Sequence, residues 1–325
     1  MRFSAYRAED GGGAGKPDKK KALKKLKTLV FTSKNEPEPF RKKIEETFNS
    51  PFIPAKVECR DLALGTVPCD ILTPEVCSAK RIILYIHGGS FIGGSRFSWR
   101  SFCASFAAEA TSRLVVPEYR LAPQHPYPAA LEDVQTVFRE IYTKEQSAGK
   151  DEPEFIIAAD GAGASIALAL VQTLRDKYRQ SIRNIMLFSP WLDLTAASLT
   201  PSEKKRSDDI INADCIKRSG SLYTYESNLK NPLVSPLYMP QDKIADFPPV
   251  YVQCGGAELL LRDVRTFQEK LKAAGRSCTV DVWPDMMFMF QMADADLPQA
   301  HFAVQRAGKY IQTYDREQDG PQWNS

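Results

Sequence analysis

The chain has 325 residues, 43% of them hydrophobic, enough to bury one large core or two smaller ones without disulfides or metals. Its 43 basic and 40 acidic residues leave a net charge of +3, which excludes the extended positive field that nucleic-acid binding requires. The seven cysteines (Cys59, Cys69, Cys77, Cys103, Cys215, Cys254, Cys278) form no C-x-x-C pair and no cysteine/histidine cluster. They call for no metal or cofactor and read as reduced, mostly buried thiols of a cytoplasmic protein.

Residues 1 to about 18, rich in glycine and charge, read as a disordered lead with no apolar segment of signal-peptide type. No stretch elsewhere reaches the ~18 consecutive apolar residues of a transmembrane helix. The segment 19-KKKALKKLKTLVF-31 spaces Leu23, Leu26 and Val30 by three and four, which predicts an amphipathic helix. Its basic stripe, Lys19 to Lys27, has two readings: a contact for an anionic membrane surface or partner, or a lid helix whose lysines face water. A second helix is predicted over 39-PFRKKIEETF-48, ending before Pro51. Residues 1–56 thus comprise the lead and a small helical cap, and residues 57–325 form the main domain.

From Val57 the pattern becomes short apolar runs: 57–64, 67–74, 81–87, 114–119, 155–159, 185–189, 249–255 and 278–283. Amphipathic helical stretches at 99–111, 128–143, 164–178 and 262–275 separate most of the later runs. This alternation predicts an α/β fold with a mostly parallel sheet covered on both faces. A polar interval from about Thr195 to Phe247, with a helical stretch at 203–223, reads as an insertion that completes the cap. No internal repeat is present.

Ligands of open α/β sheets sit beyond the carboxyl ends of the strands, so the segments that follow the strands carry the functional signal. After 81-RIILYI-86 comes 87-HGGSFIGGS-95, whose glycines let a backbone approach a bound group and turn N–H groups towards it. The segments 118-EYRLAPQHPYPAALEDV-134 and 189-SPWLDL-194 stand at corresponding strand ends. Between them, 158-AADGAGASIALAL-170 has the pattern of a strand, a sharp turn and a helix, with Gly161 at the apex.

Together these segments resemble the hormone-sensitive lipase branch of the α/β-hydrolase superfamily over roughly residues 57–313. The resemblance implies an α/β-hydrolase fold with a helical cap and an oxyanion hole built from the backbone N–H groups of Gly88, Gly89 and Ala162. It also implies a triad, which this chain lacks in part. The family's G-D-S-A-G elbow falls on 159-ADGAG-163, so the serine position is Gly161. The histidine falls at Phe288 in 283-WPDMMFMFQ-291, and the acid at Glu258 in 255-GGAELLLRD-263, with Asp263 just beyond. Glycine cannot attack a carbonyl, and a phenyl ring cannot carry a proton.

The other histidines, His87 in the oxyanion turn, His125 and His301, offer no obvious replacement, and Ser165 lies one helical turn past the apex. Glu258 is expected to persist as a relic, hydrogen-bonded to nearby backbone N–H groups. The residues expected to line a capped apolar pocket are His87, Ser90, Phe91, Asp160, Trp191, Met287 and Phe288. Each aromatic one reads equally well as ordinary core. Plant gibberellin receptors, which resemble these esterases yet bind a hormone, are a precedent for such a pocket.

Three functions remain open on the sequence. One is a pseudoenzyme that binds a small apolar carboxylate or ester. A second is an ester hydrolase working through Ser165, Asp160 or His301, and a third is a surface protein acting through Lys19 to Lys27. Monomer and homodimer are both left open.

Overall fold

The computed structural model describes residues 18–50, 52–147, 153–199 and 210–318. The lead predicted at the N-terminus falls outside them up to residue 17, as does the part of the cap insertion at 200–209. Two helices come first, α1 (Lys19–Leu26) and α2 (Pro37–Phe48). Strands β1 (Val57–Leu64), β2 (Val67–Pro74) and β3 (Arg81–Ile86) follow, then α3 (Arg96–Glu109), β4 (Arg113–Pro117), α4 (Ala129–Ser147) and β5 (Glu154–Asp160). Next are α5 (Gly163–Thr173), the short α6 (Asp176–Arg179), β6 (Ile182–Phe188), α7 (Ala213–Tyr223) and the short α8 (Gln241–Ile244). The chain closes with β7 (Val250–Gly255), α9 (Leu261–Ala273), β8 (Cys278–Trp283) and α10 (Pro298–Gln318).

The strands form one sheet in the order β1-β2-β4-β3-β5-β6-β7-β8. β2 is antiparallel to both β1 and β4, and the other neighbours run parallel. Every residue of β3 and of β7 is buried, as strands covered on both faces must be. The cover on one face includes Phe102 and Phe106 of α3, whose rings stand edge-on to Phe188 at the end of β6. Helix α5 is buried from Gly163 to Val171, so it packs as core on all sides. The carboxyl ends of the parallel strands gather the loops that begin at residues 87, 161, 189, 256 and 284 at one rim of the sheet.

Several boundaries differ from the periodicity, and two of them have a clear physical reason. The helix predicted to Phe31 stops at Leu26, passes through a 3-10 turn at Lys27–Leu29 and becomes extended at Val30. There the Phe31 N–H is captured by Ser90 Oγ at 3.0 Å, which competes with continuation of the helix. Strand β6 begins at Ile182, ahead of the apolar run, because parallel pairing with β5 carries the polar Arg183 and Asn184 into the ladder.

Both N-terminal helices dock on the rim. Phe40 and Ile44 of α2 crowd Gly93, and Glu45 accepts the Ser95 hydroxyl at 2.6 Å. Arg41 donates to the carbonyls of Ile92 and Ala122 at 2.7 and 3.0 Å, and to Gln124 Oε1. On α1, Lys21 pairs with Asp296, Lys19 donates to the Asp285 carbonyl, and Lys25 lies over the Phe48 ring. Lys19, Lys20, Lys21, Lys24 and Lys27 of the stripe are exposed, and Lys25 is half-buried. Among the described residues no helix is long and apolar enough to cross a membrane.

Candidate active site

Gly161 stands between β5 and α5 with φ +46°, the left-handed conformation that glycine adopts without strain. Its N–H donates to the Phe188 carbonyl at 3.0 Å and its carbonyl accepts the Trp191 N–H at 2.9 Å, which fixes the turn to the end of β6. Phe288 is buried, with Cζ 3.2 Å and Cε2 3.9 Å from the point where a Cβ on Gly161 would stand. The ring thus occupies the space above the side-chainless apex. Ser165 is not poised for attack, since its buried hydroxyl donates to the Trp191 carbonyl at 2.8 Å.

The turn after β3 carries a correction. Gly88, expected to offer its N–H to an oxyanion, donates it to Asp160 Oδ1 at 2.9 Å. That same oxygen accepts the Tyr85 hydroxyl and the Trp99 indole N–H, each at 2.8 Å. Asp160 is consequently a buried junction of β3, α3 and β5, and it presents no carboxylate to a ligand. Burial pushes its pKa up to about 7, against the pull of these donors in the other direction.

Among the described residues, the backbone N–H groups of Gly89, Ser90 and Ala162 have no acceptor, as is also true of the neighbouring Phe91 N–H, and all four residues are buried. Only glycine fits at Gly89, where φ is +101° and a Cβ would stand 2.1 Å from the Gly93 carbonyl oxygen. The sequence placed Ser90 among the residues lining the pocket. Its hydroxyl is engaged elsewhere, accepting from Phe31 N–H and lying 3.4 Å from the Leu29 carbonyl, so that only its main chain is left over.

His87 is likewise structural. Its ring is stacked on Tyr119 at 4.3 Å and lies 5.1 Å from Trp99, and its Nδ1 sits 2.8 Å from the Gly88 carbonyl, to which it must donate. Burial lowers its pKa to about 4, so the ring is neutral at physiological pH. His125 is exposed, and His301 is exposed beside Asp294 at the start of α10.

Glu258 is buried, and its Oε1 accepts the Gly255 N–H and the Ser189 hydroxyl, the latter at 2.7 Å. Ser189 Oγ in turn accepts the Met289 N–H at 3.1 Å. The carboxylate at the acid position therefore reaches, through one serine, the backbone next to Phe288. Sequence reasoning passed over Ser189, although it opens the quoted 189-SPWLDL-194.

The aromatic wall is packed shut. Phe91 stacks on Tyr223 of α7 with ring centres 4.0 Å apart and meets Trp191 edge-on at 6.1 Å. Phe91, Trp191, Met287 and Phe288 are all at most 3% exposed, so they form core rather than the walls of an open pocket. Among the described residues Trp191 Nε1, which is buried, has no hydrogen-bond partner. A cleft of about 390 Å³ lies at the other end of the sheet, between Arg179, Ile182, Pro249 and Arg276, and contains none of these residues. Among the described residues no group of three or more His, Cys, Asp or Glu could hold a metal ion.

Comparison with known proteins agrees with this geometry. The profile of a family described as alpha/beta hydrolase fold matches residues 83–292. An acetyl-hydrolase of Streptomyces hygroscopicus is 28% identical over 259 residues, covering 77% of this chain and 84% of its own. An esterase of Acinetobacter venetianus is 30% identical over 260 residues, covering 80% and 83%. The crystal structure of an esterase from the bacterial hormone-sensitive lipase family superposes with a TM-score of 0.80 at 26% identity, covering 91% of this chain and 97% of that one. The chain belongs to the α/β-hydrolase-fold family, in its hormone-sensitive lipase branch.

Proposed function

We propose that this protein is a non-hydrolytic member of the hormone-sensitive lipase family, which retains a small apolar carboxylate or ester without turning it over. The observation that carries the reading is the pairing of a side-chainless apex at Gly161, covered by Phe288, with an intact cluster of acceptor-free N–H groups on Gly89, Ser90 and Ala162. Nucleophilic catalysis needs an attacking atom and a base, and no nearby side chain supplies either. Ser165 and Asp160 are committed to other groups, and His301 is paired at the surface.

The donor cluster argues for a ligand. Buried backbone N–H groups nearly always meet an acceptor, so three in one place call for an oxygen that the chain itself does not provide. Relatives whose names record acetyl-hydrolase and esterase activity suggest the class of that oxygen: the carbonyl of an ester or the carboxylate of its acid.

The test is a pair of measurements on the full chain. Hydrolysis of p-nitrophenyl butyrate should not exceed a heat-denatured control, while butyrate or methyl butyrate should raise the melting temperature. Turnover above the control that survives purification would overturn the reading, and would favour a hydrolase using other residues.

A further inference from the structure

We propose that the cleft at the amino ends of β6, β7 and β8 binds an apolar α-amino acid, with Arg276 taking the carboxylate and Asp246 the ammonium. The cleft shares no residue with the turn at Gly161, so this site is independent of the reading above.

The cleft has a volume of about 390 Å³, at the lower end of the ~300–1,000 Å³ of small-molecule sites. Its walls are three segments that lead into neighbouring parallel strands: α6 with Ile182 of β6, residues 246–249 ahead of β7, and Arg276 ahead of β8. Each is tied to the sheet by a main-chain bond. The Ser181 carbonyl accepts from Phe155 at 2.7 Å, the Pro249 carbonyl from Ile185 at 2.9 Å and the Ser277 carbonyl from Val250 at 3.0 Å. The successive prolines 248 and 249 fix φ along the middle wall. The hollow is therefore preformed by the fold.

Its lining carries two cations and two anions. Arg179 pairs with Asp176 across one turn of α6, which compensates both. Arg276 and Asp246 also line the cleft, yet among the described residues neither enters an ion pair. Arg276 is held at one point only, where its Nε donates to the carbonyl of Phe247, the neighbour of Asp246, at 2.6 Å. That bond steadies the guanidinium and uses one of its five N–H groups, so the terminal nitrogens have no acceptor among the described residues. The Asp246 carboxylate is exposed and likewise accepts no hydrogen bond among them.

One uncommitted cation and one uncommitted anion thus face a single hollow with fixed walls. A ligand of one sign meets one of them and brings a like charge towards the other. A zwitterion meets both. The guanidinium fork matches a carboxylate through two parallel N–H···O bonds, and an ammonium offers only donors, which suits the acceptor-only carboxylate of Asp246. Ile182, Pro248 and Pro249 supply apolar surface for the side chain of such a ligand.

The experiment is calorimetric titration of the full chain with L-leucine, with N-acetyl-L-leucine, which lacks the ammonium, and with L-leucinamide, which lacks the carboxylate. Wild type, Asp246→Asn and Arg276→Gln are compared. L-leucine should bind at least about 10-fold more tightly than either analogue, as one charge-assisted contact implies. Asp246→Asn should weaken L-leucine by about 10-fold and leave N-acetyl-L-leucine no weaker, while Arg276→Gln should weaken L-leucine and leave L-leucinamide nearly unchanged. Should Arg276→Gln fail to fold for want of its bond to Phe247, Asp246→Asn decides alone, because it removes no hydrogen bond of the described fold. Equal affinity for L-leucine and N-acetyl-L-leucine, L-leucine binding untouched by the variants that fold, or no L-leucine binding up to about 10 mM overturns the proposal. None of these outcomes bears on the binding of butyrate.

Discussion

The Cζ atom of Phe288 lies 3.2 Å from the place where a side chain on Gly161 would begin. Two positions 127 residues apart in the chain thus compensate for each other. The ring fills what the apex leaves open, and the apex adopts a φ that suits glycine better than any other residue.

Restoring serine at Gly161 alone should bring strain and a crowded contact without chemistry. Gly161→Ser is expected to lose about 1–3 kcal/mol of stability and to leave p-nitrophenyl butyrate hydrolysis at background. Phe288→His alone should also be inactive. The double variant should show weak hydrolysis that disappears on Glu258→Ala, since triad members act as a unit. Activity in either single variant would mean that a different base or nucleophile is at work.

Ser189 links the acid position to the backbone beside Phe288. Ser189→Ala removes the hydroxyl that bonds Glu258 and leaves the Met289 N–H without its acceptor. A loss of about 1–3 kcal/mol is expected in urea denaturation. A change below about 0.5 kcal/mol would mean that water replaces the hydroxyl at no cost.

Asp160 gives a pH signature. Burial raises its pKa to about 7 in the folded state, above the ordinary carboxylate value of about 4, so folding takes up a proton between these limits. Its contribution is complete below that window and is lost as pH rises through 7. His87, lowered to about 4 by burial, acts in the opposite sense between about 4 and 6.5, and Glu118, raised to about 7, adds to Asp160. The comparison with Asp160→Asn therefore isolates the effect. Wild type should gain on the variant as pH falls from 7 to 4, by up to about 1.4 kcal/mol per unit. A difference independent of pH would show that Asp160 remains ionised throughout.

Arg41 joins α2 to two loops through the Ile92 and Ala122 carbonyls. Arg41→Ala should destabilise the chain by about 1–3 kcal/mol and speed amide exchange across residues 29–48 more than across β3 or β5. Uniform acceleration would indicate that the N-terminal helices unfold only with the whole domain.

Much of this architecture was legible in the sequence because it follows from period and composition. β1, β2 and β8 begin and end at the predicted residues, and Gly161 has the positive φ that its register implied. What escaped depended on which partner captures a polar group. Nothing in 87-HGGS-90 reveals that the first glycine N–H belongs to Asp160, 72 residues on, or that the serine hydroxyl belongs to Phe31. The early end of α1 has the same origin. Likewise, composition could not separate an open aromatic pocket from a closed one, because the stacking of Phe91 on Tyr223 joins residues 132 positions apart.

Asp160 bears on how such chains are recognised at all. Its carboxylate gathers a tyrosine, an indole and a glycine N–H from two other elements, and none of these contacts involves the residue that follows it. The aspartate, the glycines of the turn after β3 and the close-packed Gly163 thus each have a role in the packing of the turn itself. The letters that flank an active serine record the architecture of the turn, and they can outlast the chemistry they usually accompany. On the non-hydrolytic reading proposed above, a census of esterases drawn from those flanking letters would count scaffolds together with enzymes, and the apex and the position facing it would tell the two apart.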